Sequence, residues 1–228
     1  MIGSLVNATA IVVGTALGCM LRKGLPERLR TTVMQGLALC VMLIGVQGAI
    51  QTKDTMAVIL SMVAGGLAGS LVNIELRLEK MGQRAQKLLT KNGGEGSNIA
   101  TGFVTASLVY CVGAMAIVGS LDSGLRGDHG TLFAKSALDG ISSIVFASTM
   151  GVGVGLSALA VLLYQGAITL LAGGLEPLLT AAVVTEMSAV GGLLILGIGM
   201  NMMFNKGIKV GNLLPAVFMP ILYYLVIG

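Results

Sequence analysis

Long apolar runs separated by short polar ones dominate the chain. The first run, Ile2 to Leu21, ends at Arg22, Lys23, Arg28 and Arg30. A second covers Thr32 to Ile50 and a third Met56 to Ile74, parted only by Gln51-Thr52-Lys53-Asp54-Thr55. The one sizeable polar segment, 75–98, follows. Its first part, Glu75 to Met81, has mixed charge and good helix formers, so the third helix is expected to continue out of the membrane. Asn92 to Ser97 then reads as a flexible linker. A fourth run, Ile99 to Val118, precedes a turn-rich loop, 119–130, that holds His129, the single histidine. From Thr131 to Gly174 the sequence is apolar for too long, about 65 Å of uninterrupted helix. Gly151, Gly153 and Gly155 mark the expected break, giving crossings near 132–151 and 156–174. Two more follow, at 182–203 and 210–227.

Each run has the length a bilayer demands, because a hydrocarbon core of about 30 Å needs roughly 20 apolar residues per helix. Composition agrees: 55% of residues are hydrophobic and 11% charged, and mean hydropathy is +0.92. A soluble core could not hide that much apolar surface. The expected fold is therefore all-α, a polytopic bundle of about eight transmembrane helices in one domain spanning 1–228, with a polar cytoplasmic segment at 75–98. Broken helices and an inverted repeat are compatible with it.

Charge fixes an orientation. Eight crossings put eleven Lys and Arg residues on one side, at 22, 23, 28, 30, 77, 80, 84, 87, 91, 206 and 209. The other side receives two, Lys53 and Arg126. Cytoplasmic loops accumulate basic residues, so both termini are expected outside the cytoplasm. The net charge of +4 is explained by this bias, and its short blocks give no nucleic-acid footprint. A cleaved signal peptide is not expected, since no Lys or Arg precedes the first apolar run.

Two internal similarities stand out. Gly3-Ser4-Leu5-Val6-Asn7 recurs as Gly69-Ser70-Leu71-Val72-Asn73, but on helices that run the same way, with the copies at opposite faces of the membrane. Ile44-Gly45-Val46-Gln47 and Ile198-Gly199-Met200-Asn201 lie on oppositely running helices, as inverted repeats must. Stretches this short arise easily in apolar sequence, so on its own the second match is better read as coincidence.

An ionised side chain inside an apolar helix is expensive, which makes it a functional candidate. Asp139 and Glu186 are the two best. Lys135, Asp139 and Ser142 fall on one helical face, with Ser143 beside them. The competing reading is that Lys135 and Asp139, four apart, neutralise each other or reach toward the surface. Glu186 stands near the outer start of its helix, where water is also a sufficient explanation. If both carboxylates face one cavity, they could bind a cation or exchange a proton. Asn7, Gln35, Asn73, Gln165, Asn201 and Asn212 are weaker candidates, since a single buried amide usually holds helices together. Asn7 and Asn212 join the proposed pathway set of Asp139, Glu186, Ser142, Ser143 and Lys135.

No enzymatic signature emerges. His129 lacks companion metal ligands or a triad context. Cys19, Cys40 and Cys111 lie within apolar runs and show no CxxC spacing, so neither a zinc site nor a disulfide framework follows. The fourteen methionines are scattered and read as packing. No cofactor is expected.

Several stretches together resemble a known family: Ser120-Leu121-Asp122-Ser123-Gly124-Leu125, Lys135-Ser136-Ala137-Leu138-Asp139-Gly140, Ala189-Val190-Gly191-Gly192-Leu193-Leu194 and Gly211-Asn212-Leu213-Leu214-Pro215-Ala216. With the opening Ile2-Gly3-Ser4-Leu5-Val6-Asn7, the chain resembles, over nearly its whole length, the bacterial membrane proteins designated domain of unknown function 554, the YdfK-like proteins. The resemblance implies a helical fold in the bacterial inner membrane and supplies no substrate.

The leading functional expectation is a secondary transporter or channel-like protein for an ion or small polar solute. The alternative is a non-transporting scaffold or sensor whose 75–98 segment meets a cytoplasmic partner. Lipid is the expected surrounding, and small-residue helix faces suit a homo-oligomer.

Overall fold

The computed structural model describes residues 1–22, 27–77, 80, 96–204 and 207–227. Three long helices open the chain: α1 (Ile2–Arg22), α2 (Glu27–Ala49) and α3 (Thr55–Val72). At 21 residues, α1 is about 31 Å long and matches the hydrocarbon thickness. Asp54 caps α3, its Oδ1 accepting from the amides of Met56 and Ala57 at 3.1 Å each, which satisfies two donors the helix leaves free.

The third helix is interrupted at Asn73 before the polar segment, and the chain is helical again at 74–77. Asn73 ends α3 in the left-handed conformation (φ 54°, ψ 57°), its N–H returning to the carbonyls of Gly69 and Ser70, and asparagine tolerates that conformation better than most residues. This also explains the repeated pentapeptide. Asn73 closes a helix in one copy, while Asn7 sits inside a helix in the other. Of the expected linker Asn92 to Ser97, residues 92–95 lie outside the described residues, and Gly96 and Ser97 already open the next helix.

That helix, α4 (Gly96–Cys111), is bent by 60° from α5 (Ala114–Leu125). Gly113 makes the break with φ +143°, backbone that glycine adopts without penalty. The sequence predicts one straight run ending at 118 and a loop after it; instead α5 continues helical to Leu125. Its last turn is held by Arg126 bonding Asp122 at 3.2 Å and by Ser123 Oγ meeting His129 Nδ1 at 2.9 Å.

Next come α6 (Gly130–Met150) and α7 (Gly153–Leu170). The break between them falls where the glycines predict it, with Gly151 at φ +76°. A short α8 (Ala172–Leu175) leads to α9 (Ala181–Phe204). The last run is composite: α10 (Val210–Leu213), a 3-10 turn over Leu214–Phe218, and α11 (Met219–Ile227). The tightened turn contains Pro215, which offers no amide hydrogen to an α-helical ladder.

Among the described residues, six helical runs are long and apolar enough to cross a bilayer: α1, α2, α3, α7, α9 and 210–227. The bent pair α4 and α5 makes a seventh if it is one span. Helix α6 matches α1 in length, at 21 residues, but carries Lys135, Asp139 and several hydroxyl residues.

Packing relates the two ends of the chain. Helix α2 lies antiparallel to α9, with Gly45 against Leu196 and Gly199 against Met42. Helix α3 lies antiparallel to the last run, with Gly65 against Ala216 and Gly69 against Asn212. Helix α1 lies antiparallel to α7, since Met1 meets Gly166 and Thr15 meets Gly155. The remaining partners obey the same exchange. Helix α1 runs parallel to α6, from Gly3 on Leu132 to Gly18 on Ile144, and α7 runs parallel to α4 and α5, from Gly153 on Ile99 to Thr169 on Gly124. This is the contact pattern of an inverted repeat, α1–α3 against α7–α11, with α6 answering α4 and α5. The offset of 154 residues from Ile44 to Ile198 carries 27–49 onto 181–203 and 55–72 onto 209–226, within one residue of the observed bounds. The short match at Ile44 and Ile198 thus marks corresponding positions of the two halves.

Glycine makes these approaches close. A Cβ at Gly14 or Gly18 would run into the backbone carbonyls of Gly140 or Ile144. Within lipid, where apolar side chains gain little by meeting each other, such backbone proximity is a main source of helix association.

Candidate functional site

A polar cluster lies where α1, α6 and α7 meet. Lys135 and Asp139 are one turn apart on α6 and only 7% and 5% exposed. Lys135 Nζ donates to Asp139 Oδ1 at 2.9 Å. Asn7 of α1 donates from Nδ2 to Asp139 Oδ2 at 2.9 Å. It also donates to Oε1 of Gln165 on α7 at 3.3 Å. Asn7 and Gln165 are both completely buried.

These bonds do not exhaust the cluster. Asn7 Oδ1 and Gln165 Nε2 have no hydrogen-bond partner among the described residues. The same holds for Ser4 Oγ, three residues before Asn7 on the same face of α1, and for Thr169 Oγ1, four residues beyond Gln165 on α7. Because α1 and α7 are antiparallel, Ser4 and Thr169 both lie on the same side of the Asn7–Gln165 contact. Buried polar atoms are normally paired, and each exception asks for a reason.

On the other side along α6, Ser143 is fully buried and shares a 2.8 Å hydrogen bond with the Tyr110 hydroxyl of α4. Tyr110 stacks on Phe146 with ring centroids 6.0 Å apart. Ser142 departs from its expected role. It is half-buried, and its hydroxyl donates back to the carbonyls of Leu138 at 2.8 Å and Asp139 at 3.1 Å, so the polar stripe continues through Ser143 instead.

Glu186 belongs to a different part of the molecule. It is 1% exposed and accepts from the amides of Lys53 at 2.9 Å and Asp54 at 3.2 Å, and from the Thr52 hydroxyl. It therefore anchors the α2–α3 turn, and no hydrogen bond joins it to Asp139 among the described residues. Asn212 has a comparable task. Its Oδ1 accepts from the Glu75 amide at 2.9 Å, and the Glu75 carboxylate accepts from the Gly211 amide at 2.6 Å, tying the end of α3 to the start of α10. Asn201 likewise holds the chain just before α10 through both backbone groups of Ile208, and Gln35 lies exposed on α2.

The sequence reading ranks Gln165 among weak candidates and passes over Ser4, Thr169 and Tyr110. A signal existed: Ser4 with Asn7 and Gln165 with Thr169 both keep same-face helical spacing. What could not be read is that the two faces meet.

The comparisons with known proteins fit this architecture. Residues 2–225 match the family model described as "Protein of unknown function (DUF554)". The chain belongs to that family. It is 34% identical over 224 residues to the Bacillus subtilis (strain 168) protein named "Uncharacterized membrane protein YdfK", covering 96% of this chain and 94% of that one. It is 29% identical over 220 residues to "Uncharacterized protein YqgA" of Escherichia coli (strain K12), with 96% and 94% coverage. No solved structure matches the chain. A membrane protein of the DUF554 family is thus the common ground of sequence, fold and relatives.

Proposed function

We propose that this DUF554 protein is a secondary transporter or channel-like protein that moves an ion or small polar solute across the bacterial inner membrane, without catalysing covalent chemistry. The observation that carries this reading is the buried Lys135–Asp139 pair, bridged by Asn7 to Gln165 and accompanied by buried polar atoms that have no hydrogen-bond partner among the described residues. A pair kept only to join helices would be expected to have all its neighbours satisfied. Its placement supports the same conclusion, because α1 and α7 are counterparts in an inverted repeat, and transporters of that construction bind where the repeats meet. The scaffold alternative depends on 75–98, most of which lies outside the described residues.

Packing supports a topology. Since α1 and α6 run parallel, an odd number of crossings separates them; α2 and α3 supply two, so the bent α4 and α5 supply the third. The course of α6 alongside α1 over most of its length favours it as a further crossing. This packing supports eight spans with both termini on one face, and the basic-residue bias favours the external face for them.

Uptake into proteoliposomes tests the proposal. Wild-type protein should accelerate entry of a solute over empty liposomes, and Asp139→Asn, if still folded by its melting curve, should abolish it. Equal entry with wild type and Asp139→Asn would remove Asp139 from the pathway.

A further inference from the structure

The unpaired atoms specify what the cluster takes. Asn7 cannot be turned around, because its Nδ2 is required by the Asp139 carboxylate and its Oδ1 would be repelled there. With Nδ2 also donating to Gln165 Oε1, the Gln165 amide is fixed as well. What remains is one acceptor, Asn7 Oδ1, and one donor, Gln165 Nε2, with the hydroxyls of Ser4 and Thr169 alongside to serve as either.

Neither kind of ion suits that set. A bare cation would find oxygens at Asn7, Ser4 and Thr169, but it would also meet the Gln165 amide hydrogens and the Lys135 ammonium. An anion would meet the Asp139 carboxylate, and Asn7 Oδ1 offers it no hydrogen. The fixed charges of Lys135 and Asp139 already cancel at 2.9 Å, so the cluster as a whole has no net charge to neutralise. A neutral partner with one donor and one acceptor satisfies both unpaired amide atoms without leaving a charge in a low-dielectric interior.

We propose that the solute is net neutral, either an uncharged amide or a small zwitterion, held between α1 and α7 with its acceptor on Gln165 Nε2 and its donor on Asn7 Oδ1. This deepens the transport reading and rests on it. Ser4 and Thr169, one helical turn nearer the expected outer ends of α1 and α7, form the preceding rung of the same polar track. The zwitterion is the more demanding case, because its two charges would lie beside Lys135 and Asp139 and would have to match them in sense.

The test uses the full-length chain and four probes: glycine as zwitterion, N-acetylglycinamide as uncharged amide, sodium gluconate and choline chloride. Glycine or N-acetylglycinamide should raise the melting temperature by about 5 °C at saturation. The same probe should enter proteoliposomes at a rate unaffected by an imposed membrane potential. Gln165→Leu removes the orphan donor together with the long 3.3 Å bond from Asn7, so without solute it should melt within a few degrees of wild type, yet lose roughly tenfold in apparent affinity, the worth of about one good hydrogen bond. Entry of sodium or chloride with neither neutral probe would overturn this inference and leave the transport reading standing. Entry of none of the four would sink both. A Gln165→Leu protein that melts lower but transports normally would show that the amide only holds helices together.

Discussion

Asn7 and Asp139, 132 residues apart in sequence, meet in a buried 2.9 Å hydrogen bond. Without it the carboxylate would be left with Lys135, a partner on its own helix that helps α6 but binds no other element. Asn7 extends the contact to α1 and on to α7, so one amide joins three helices. Asn7→Leu is expected to lower stability by about 1.5–3 kcal/mol, as for a hydrogen bond to a charged group. The loss should be measured by unfolding in mixed micelles. Asn7→Asp should be worse, because it sets a second carboxylate against Asp139. If Asn7→Asp proves as stable as wild type, the hydrogen bond does not exist as described.

The Lys135–Asp139 pair admits two readings, and a double mutant separates them. Removing one partner leaves the other charge buried and should destabilise by about 3–5 kcal/mol. Lys135→Met combined with Asp139→Leu should recover most of that loss, since the apolar pair needs no solvation. Under the transport proposal this double variant is folded and inactive. A double variant that is both stable and fully active would reduce the pair to a structural device. Lys135→Met that melts with wild type would instead show that water already reaches the pair.

The fold was legible in the sequence because lipid imposes a single rule, satisfaction of the backbone within each crossing, and the apolar runs obey it visibly. The Gly151 break could be placed because the run around it was too long for one helix. The Gly113 bend was missed for the converse reason: Ile99 to Val118 has an acceptable length for one crossing, and nothing in length alone demands a kink. Asp139 could be found because charge within an apolar helix is conspicuous. Glu186 is equally conspicuous, and its task differs only because the α2–α3 turn folds onto it. Which of two buried carboxylates holds a loop and which joins a polar cluster is decided by tertiary neighbours.

Glu186 is therefore expected to behave as a turn anchor. Glu186→Leu leaves the amides of Lys53 and Asp54 without their acceptor, a loss of about 1–3 kcal/mol for each unsatisfied buried group. The turn at 50–55 should open first, seen as faster amide exchange there than in wild type. Transport per folded molecule should change little. A Glu186→Gln protein with unaltered melting and abolished uptake would contradict this assignment and return Glu186 to the pathway.

The topology can be settled independently of function. The parallel course of α1 and α6, read from Gly3 against Leu132 and Gly18 against Ile144, places their starts on one face of the membrane and their ends on the other. Positions just before α3 and just before α6 are then expected on one face, external by the basic-residue bias, and positions at the start of α2 and just before α10 on the other, cytoplasmic one. Single cysteines at Lys53 and Arg126 should react with a membrane-impermeant maleimide in intact spheroplasts. Cysteines at Arg28 and Lys209 should react only after the membrane is opened, with Cys19, Cys40 and Cys111 first replaced by Ala. The decisive position is Arg126, at the far end of the bent α4 and α5. If that pair enters and leaves on the cytoplasmic face, Arg126 is protected while Lys53 stays reactive, α6 must run opposite to α1, and the parallel packing that assembles the Asn7–Asp139 contact cannot form. Labelling of Lys53 and Arg126 from the same side is thus the outcome on which both the eight-span count and the site depend.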